Sequence, residues 1–94
     1  MLEEFFIVRE KHFCENKEIP TDKILIEDGN AANAFFARLV NDRLQKTAYA
    51  HQKVVQSYID SEFTMKLYGS RIGYIKTEND LFLYSLRLIQ HEKC

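Results

Sequence analysis

The fold is decided by the stretch at residues 30–63, NAANAFFARLVNDRLQKTAYAHQKVVQSYIDSEF, which contains neither proline nor glycine. At 100° per residue, one side of this stretch is largely apolar and the opposite side is polar. Asp28 and Gly29 precede it, and a short polar side chain at such a place caps the first free N–H groups of a helix. We therefore predict one long amphipathic helix over residues 30–63.

The length of that helix bears on assembly. At 1.5 Å per residue it would be about 50 Å long, whereas a chain of this size forms a domain with a radius of gyration of about 12 Å. The helix must therefore bend, project from the domain or be covered by a second chain. At residues 47–51 (TAYAH) small and polar side chains replace the large apolar ones on this side of the helix. Either a kink or the crossing of two copies would fit there. We expect self-association, with a kinked monomer as the alternative.

The residues predicted to form an oligomer interface share the apolar side of this helix. They are Phe36, Val40, Leu44, Thr47, His51, Val55 and Tyr58. A single histidine on an apolar surface is usually a core residue with one hydrogen bond. In a self-associating helix His51 would instead lie in the contact between copies, and its protonation would weaken that contact.

Two apolar runs before residue 30 are typical of strands. Residues 5–8 (FFIV) and 23–26 (KILI) are rich in β-branched and aromatic side chains, and the polar segment between them contains the only proline, Pro20. We predict an antiparallel hairpin with a long loop. A helix over residues 2–13 is the alternative, because apolar residues of that segment can also share one helical side.

A second hairpin is predicted at residues 63–76. Apolar and polar side chains alternate in FTMKLY and again in RIGYIK, and Gly69 and Ser70 lie between these runs. Gly73, inside the second run, indicates a bulge or a close approach of another backbone.

The last segment, residues 81–89, is ambiguous. Thr77 and Asp80 resemble a capping box before a leucine-rich helix, but the same residues could turn the chain into a third strand. We favour the helix. The predicted fold is α+β, with two β-hairpins packed on one long central helix in the order ββαββα, or ββαβββ if the last segment is a strand.

Length and composition are those of one soluble domain covering residues 1–94. The chain is 29% charged and 46% hydrophobic, its net charge is −1, and two cysteines, Cys14 and Cys94, are too few for a disulfide framework. The first residues are acidic where a secretory signal would be basic, and no apolar run is long enough to span a membrane. We expect a cytoplasmic location.

Chemical motifs are missing from the sequence. The three glycines are scattered, so no phosphate-binding loop is present, and no serine or cysteine lies in a nucleophile motif. If the chain ends met, His12, Cys14, His91 and Cys94 could form a tetrahedral zinc site, but His-x-Cys is a poor chelate spacing and nothing fixes the chain end at Cys94. We predict a protein that is not an enzyme and that uses no cofactor or metal.

The strongest binding candidate is the predicted hairpin at residues 63–76. Lys66, Tyr68, Arg71, Tyr74 and Lys76 interleave cations with aromatic rings. Such surfaces place cations on phosphates while rings stack on bases. The overall charge is not that of a dedicated nucleic-acid-binding domain, which would be strongly basic.

These observations predict a small non-catalytic regulatory or inhibitory protein. Its partners would be a second copy, through the central helix, and an unidentified protein. The first alternative is a nucleic-acid-binding regulator that uses the hairpin at residues 63–76. The second is an oligomeric sensor with a small-ligand pocket between subunits.

Overall fold

The protein forms a single antiparallel sheet with two helices. The computed structural model describes residues 2–92. In chain order the elements are β1 (Leu2–Cys14), β2 (Lys17–Ile19), β3 (Lys23–Ile26), α1 (Gly29–Tyr49), β4 (Val54–Ile59), α2 (Glu62–Tyr68), β5 (Ser70–Thr77) and β6 (Asp80–Glu92). The α+β class is confirmed, but the order is βββαβαββ, which differs from both predicted orders.

Two strands of 13 residues form the centre of the sheet. β1 and β6 pair along their whole length, from Leu2 opposite Glu92 to Cys14 opposite Asp80. β5 pairs with the far side of β6, and β4 is the last strand on that side. The other side of β1 is shared by β2 and β3, and the pairing of β1 with β3 confirms the first predicted hairpin. The alternative helix over residues 2–13 is wrong.

The helix α1 begins where the sequence predicts but ends much earlier. The Asp28 carboxylate accepts a 2.8 Å hydrogen bond from the Ala31 N–H, which caps the first turn. After Tyr49 the chain turns through His51, whose φ of 58° is left-handed. The N–H groups of His51 and Gln52 bond back to carbonyls of the last helical turn, as at many helix C-termini.

The predicted helix over residues 30–63 is therefore wrong in its second half. Residues 54–59 form β4, and their ladder with β5 outweighs a weak helical pattern in a β-branched segment. With 21 residues, α1 is about 31 Å long. This helix fits across the sheet, so the excess length that suggested self-association is absent.

The predicted hairpin at residues 63–76 is also wrong. Its first run lies in α2, which ends at Gly69 with a left-handed φ of 71°. Its second run lies in β5, between β4 and β6. The expectation for Gly73 is confirmed as a close approach, since a Cβ there would meet the Tyr58 carbonyl oxygen at 3.0 Å.

The last segment is a strand, so the preferred helix over residues 81–89 is wrong and the alternative is correct. The Thr77 hydroxyl accepts a 3.1 Å hydrogen bond from the Asp80 N–H. This contact closes a tight turn between β5 and β6 instead of capping a helix. Thirteen residue pairs with β1 then decide the conformation.

The core lies between α1 and one side of the sheet, which we call the covered face. Its buried apolar residues come from both helices and three strands: Val8, Ala32, Phe36, Val40, Met65, Ile75, Phe82, Tyr84 and Leu86. Both helices contribute to this core, so the two-layer fold has its helices on this side. We call the opposite side of the sheet the open face.

Candidate functional site

The covered face contains a group of ionisable side chains from β1, β6 and α1. The Tyr84 hydroxyl donates a 2.5 Å hydrogen bond to Glu10 Oε2, and Arg43 Nη2 lies 3.5 Å from Glu10 Oε1. Burial, followed by the hydrogen bond to Glu10, raises the pKa of Tyr84 far above its ordinary value. A hydroxyl held in its protonated form is a stabilising donor, not an acid or base near neutral pH.

A second polar contact lies at the end of the same strand pair. His12 Nε2 is 2.8 Å from Asp80 Oδ1, and the imidazole stacks on the Phe82 ring with centroids 4.2 Å apart. The hydrogen bond with His12 lowers the pKa of Asp80, whereas hydrogen bonding to Asp80 raises the pKa of Cys14. A nucleophilic cysteine needs a lowered pKa, so this arrangement does not activate Cys14.

Metal binding finds no support in the described part of the chain. Within residues 2–92 there is no group of three or more His, Cys, Asp or Glu residues placed to hold an ion. The side chain of His91 and the whole of Cys94 lie outside what is described. Of the four ligands considered for a zinc site between the chain ends, His12 and Cys14 have described side chains, and the other two lie outside the described part.

Four of the residues predicted for an oligomer interface pack within the chain instead. Phe36, Val40 and Thr47 are buried, and Leu44 is half-buried and packs against the core. Their side of α1 is occupied by the sheet, so it is not available to a second copy. The apolar pattern was correctly identified, but it marks a core and not an intermolecular contact.

The other three residues are exposed and lie outside the helix. His51 is in the turn that follows α1, and Val55 and Tyr58 are on β4. The expectation that all seven share one helical side is wrong, because the helix ends before any of these three. The expected burial of His51 in a contact between copies loses its basis for the same reason.

Arg71, predicted to bind anions on an exposed hairpin, is buried on the covered face. Its Nε donates a 2.7 Å hydrogen bond to the Asp60 carbonyl oxygen, and its guanidinium lies 4.7 Å from the centroid of the Phe36 ring. A further bond joins it to Asn33 on α1. Arg71 therefore connects β5 to α1 and to the segment that follows β4, and its guanidinium is not free to bind a ligand.

The remaining residues of that predicted set are divided between two elements. Lys66 and Tyr68 are exposed on α2, which contributes to the core of the covered face. Tyr74 and Lys76 lie on β5, and their alternation with the buried residues of that strand places them on the open face. Only this second pair takes part in the surface described next.

The open face is largely apolar. The strand register assigns to it the following aliphatic and aromatic residues: Phe5, Ile7, Phe13, Leu25, Tyr58, Ile72, Tyr74, Leu81, Leu83 and Ile89. No helix of the described chain covers this side. Leu25, Ile72 and Tyr58 are more than half exposed, at 59%, 55% and 52%. Contiguous apolar surface of this kind marks an interaction site more often than single exposed residues do.

The open face is also positively charged. The same register places five cations on it: Arg9, Lys11, Lys23, Lys76 and Arg87. Three carboxylates, Glu3, Glu18 and Asp60, lie on the same side near its margins. The surplus of two positive charges contrasts with the net charge of −1 of the whole chain. The charge is therefore polarised, with the excess of negative charge elsewhere.

Two tyrosine rings lie side by side where the open face reaches β4. Tyr58 and Tyr74 are directly opposite on neighbouring strands, with ring centroids 6.3 Å apart and planes inclined at 31°. The Tyr58 hydroxyl donates a 2.6 Å hydrogen bond to Asp60 Oδ1, and Asp60 Oδ2 accepts from the Ile72 N–H. These bonds hold the Tyr58 ring on the sheet.

A row of side chains continues from these rings across the sheet. Leu83 is opposite Tyr74, and Lys11 is opposite Leu83. A shallow hollow of about 380 Å³ lies over this row, lined among others by Arg9, Lys11 and Tyr74. The row therefore has two aromatic rings at one end and Lys11 at the other, and Arg9 lines the hollow beside it.

The sequence analysis did not find Arg9, Lys11 and Lys23 as functional candidates, and it placed Tyr58 on a helix. The sequence did contain a signal for the residues of β1. If side chains alternate strictly along residues 5–13, two aromatic residues, an isoleucine and two cations lie on one side of the strand. Their neighbours in space come from β4 to β6, far along the chain. Pairing of distant strands was needed to bring them together.

Comparison of the chain with protein-family models, with curated proteins and with solved structures gave no match. Among residues 2–92, no helix has the length and apolar character needed to cross a membrane.

Proposed function

We propose that the protein is a non-catalytic regulator that binds single-stranded nucleic acid on the open face of its sheet. One observation carries the proposal: the Tyr58 and Tyr74 rings lie side by side on neighbouring strands, in a row that ends at Lys11. Exposed rings on a sheet are platforms on which unpaired bases stack, and every base has such a surface.

The charge of the open face supports the same ligand. Arg9 and Lys11 line the hollow beside the rings, and Lys76 neighbours them on β5. Cations at these positions would contact the phosphates of a strand whose bases lie over the tyrosines. The net charge of the chain, which argued against this function at first, matters less because the positive charge is concentrated on one surface.

The earlier hypothesis of a homo-oligomer built on the central helix has lost its main support. It depended on a helix too long for the domain and on a free apolar side. With α1 packed on the sheet, neither condition applies. The absence of catalytic motifs from the sequence still favours a protein that acts by binding a partner. A cytoplasmic location stays part of the proposal.

The second candidate function is docking of a partner protein on the same surface. It is favoured by the aliphatic side chains Leu25, Ile72 and Leu83, which nucleic acids do not require. A partner with acidic groups around an apolar centre would match the charge. The oligonucleotide experiment below separates the two candidates.

The test measures fluorescence anisotropy of labelled DNA and RNA oligonucleotides of about 12 nucleotides, within the usual site sizes of about 4–16. Three phosphate contacts predict a log–log salt slope of about −2, and Lys11→Ala should reduce its size by about 0.7. Tyr74→Ala should cost about 1–3 kcal/mol of binding free energy with little change in slope.

The matched controls are Tyr49→Ala and Lys46→Ala, which remove an exposed ring and a cation from the last turn of α1. Neither should change binding. No binding at tens of micromolar in low salt would refute the proposal and leave the partner-protein candidate. Equal losses in the control variants would show that the contact is not on the open face.

A further inference from the structure

The two edges of the sheet are built differently. At one edge, β2 and β3 are only three and four residues long and carry Lys17, Glu18 and Lys23, and Pro20 lies between them. Short strands, charges and proline are the usual means by which a protein keeps an edge from pairing with another chain. This edge is therefore protected.

The β4 edge has little of this protection. The strand VVQSYI contains no charged residue and no proline, and within the described chain it pairs only with β5. Val55, Tyr58 and Ile59 are 57%, 52% and 38% exposed. A bulge between Val54 and Gln56 disturbs the start of the strand, but the ladder from Gln56 to Ile59 is regular. Its outer row of N–H and C=O groups is free to pair.

We infer that β4 pairs with β4 of a second copy, antiparallel and across a two-fold axis perpendicular to the sheet. Because β4 has no charged residue, two copies of it can pair without placing like charges opposite each other. The other edge carries Lys17, Glu18 and Lys23, so pairing of two copies there would bring charged side chains together. Such a contact is closed, so assembly stops at the dimer.

Face-to-face packing of two open faces is disfavoured by comparison. Each face has a surplus of two positive charges, so two copies would repel each other there. Pairing of the edges leaves both faces in solution. An edge contact is small, and small interfaces are typical of weak, reversible association.

The partner copy would then extend the binding surface. The symmetry axis keeps both helical layers on one side, so the two open faces form one continuous surface. With Ser57 at the centre of the contact, Tyr58 lies opposite Gln56 of the partner subunit. The two Tyr58 residues become diagonal neighbours about 7–8 Å apart. This step rests on the proposed function: four tyrosines would meet in the middle of one nucleic-acid platform.

The experiment is sedimentation velocity over concentrations from a few micromolar to several hundred micromolar, without nucleic acid. We expect a reversible monomer–dimer equilibrium. Ser57→Lys places two like charges opposite each other in the contact and should weaken the dimer at least tenfold. Ile24→Lys, at an exposed position of the protected edge and on the covered side of the sheet like Ser57, adds the same charge and should have no effect. Circular dichroism verifies that both variants are folded.

Hydrogen exchange locates the contact independently of any substitution. In wild type, amides of β4 should be better protected at high concentration than at low concentration, while amides of β2 and β3 should not change. A monomer at several hundred micromolar, a dimer unaffected by Ser57→Lys, or oligomers larger than a dimer would each overturn the inference. So would a dimer that is lost in Leu83→Lys but kept in Ser57→Lys, since that result indicates face-to-face packing.

Failure of this inference and failure of the proposed function are distinguishable. Monomeric protein that binds a short oligonucleotide refutes the dimer alone, and a dimer that binds no oligonucleotide refutes the nucleic-acid proposal alone. If both hold, Ser57→Lys should lose on the order of tenfold or more in affinity for an oligonucleotide long enough to span both copies. Its affinity for a short one should match that of Ile24→Lys.

Discussion

The helix α1 and the strand β4 follow each other in the chain but are stabilised in opposite ways. α1 contributes Ala32, Phe36, Val40 and Thr47 to the buried interior. β4 has no fully buried residue, and only Val54 packs against the core. The helix is therefore held by side-chain burial, whereas the strand is held by its backbone ladder with β5 and by polar contacts at its end. Three pairs of substitutions test this difference.

The largest effect is expected in the helix. Phe36 is fully buried, and Arg71 lies over its ring. Phe36→Ala should lower the free energy of unfolding by about 3–5 kcal/mol, because it removes buried contacts and leaves a cavity. Val55→Ala on β4, where the side chain is 57% exposed, should change it by no more than about 0.5 kcal/mol. Urea unfolding at low protein concentration measures both, and similar losses would contradict the comparison.

An intermediate effect is expected at the junction between the two elements. His51 has a left-handed φ of 58°, which strains any residue with a Cβ. His51→Gly should raise the free energy of unfolding by about 0.5–1 kcal/mol, since relief of strain exceeds the added entropy of the unfolded chain. Thermal unfolding detects this as a higher Tm.

The matched control is Gln52→Gly, one residue further along, where the backbone is not left-handed. That variant should be less stable than wild type. If both glycine variants lower the Tm, backbone strain does not determine where α1 ends, and the turn must be fixed by the pairing of β4 alone.

The smallest effect is expected at the end of β4 and depends on pH. The hydrogen bond from Tyr58, followed by that from the Ile72 N–H, lowers the pKa of Asp60 below its ordinary value of 3.8. Because the pKa of Asp60 is lower in the folded state, its ionised carboxylate stabilises the protein at pH values above the ordinary pKa. This contribution disappears as the pH falls through the folded-state pKa. It should be below about 1 kcal/mol, because the carboxylate is near the surface.

Asp60→Asn should therefore be less stable than wild type at neutral pH, and the two stabilities should converge in acid, below about pH 4. Asp42→Asn, on the exposed side of α1, is the control for removal of one carboxylate. Urea unfolding at a series of pH values measures the difference. A constant gap between Asp60→Asn and wild type across that range would mean that ionisation of Asp60 does not stabilise β4.

The contrast between local patterns and long-range strand pairing also explains which parts of the candidate site could be predicted. Tyr74 and Lys76 were predicted to share a side and do so, because alternation within a single run indicates which residues lie together. Tyr58 and Arg71 were misplaced, since their surroundings depend on strands that pair across the chain. Arg9 and Lys11 were not considered as binding residues. They lie near the tyrosines of β4 and β5 only in the folded sheet, and nothing in the N-terminal segment itself indicates that proximity.

By itself, the sequence determined the features that depend on near neighbours. These are the α+β class, the start of α1 at the Asp28 cap, the apolar side of its first half and the pairing of β1 with β3. Each follows from propensity, capping or periodicity within a few residues. Tertiary structure alone decided that the chain leaves the helix after Tyr49, that residues 80–92 form a strand and which face of the sheet stays open. In those segments local preferences differ by less than the free energy of long-range pairing and burial, so the neighbours in space make the choice.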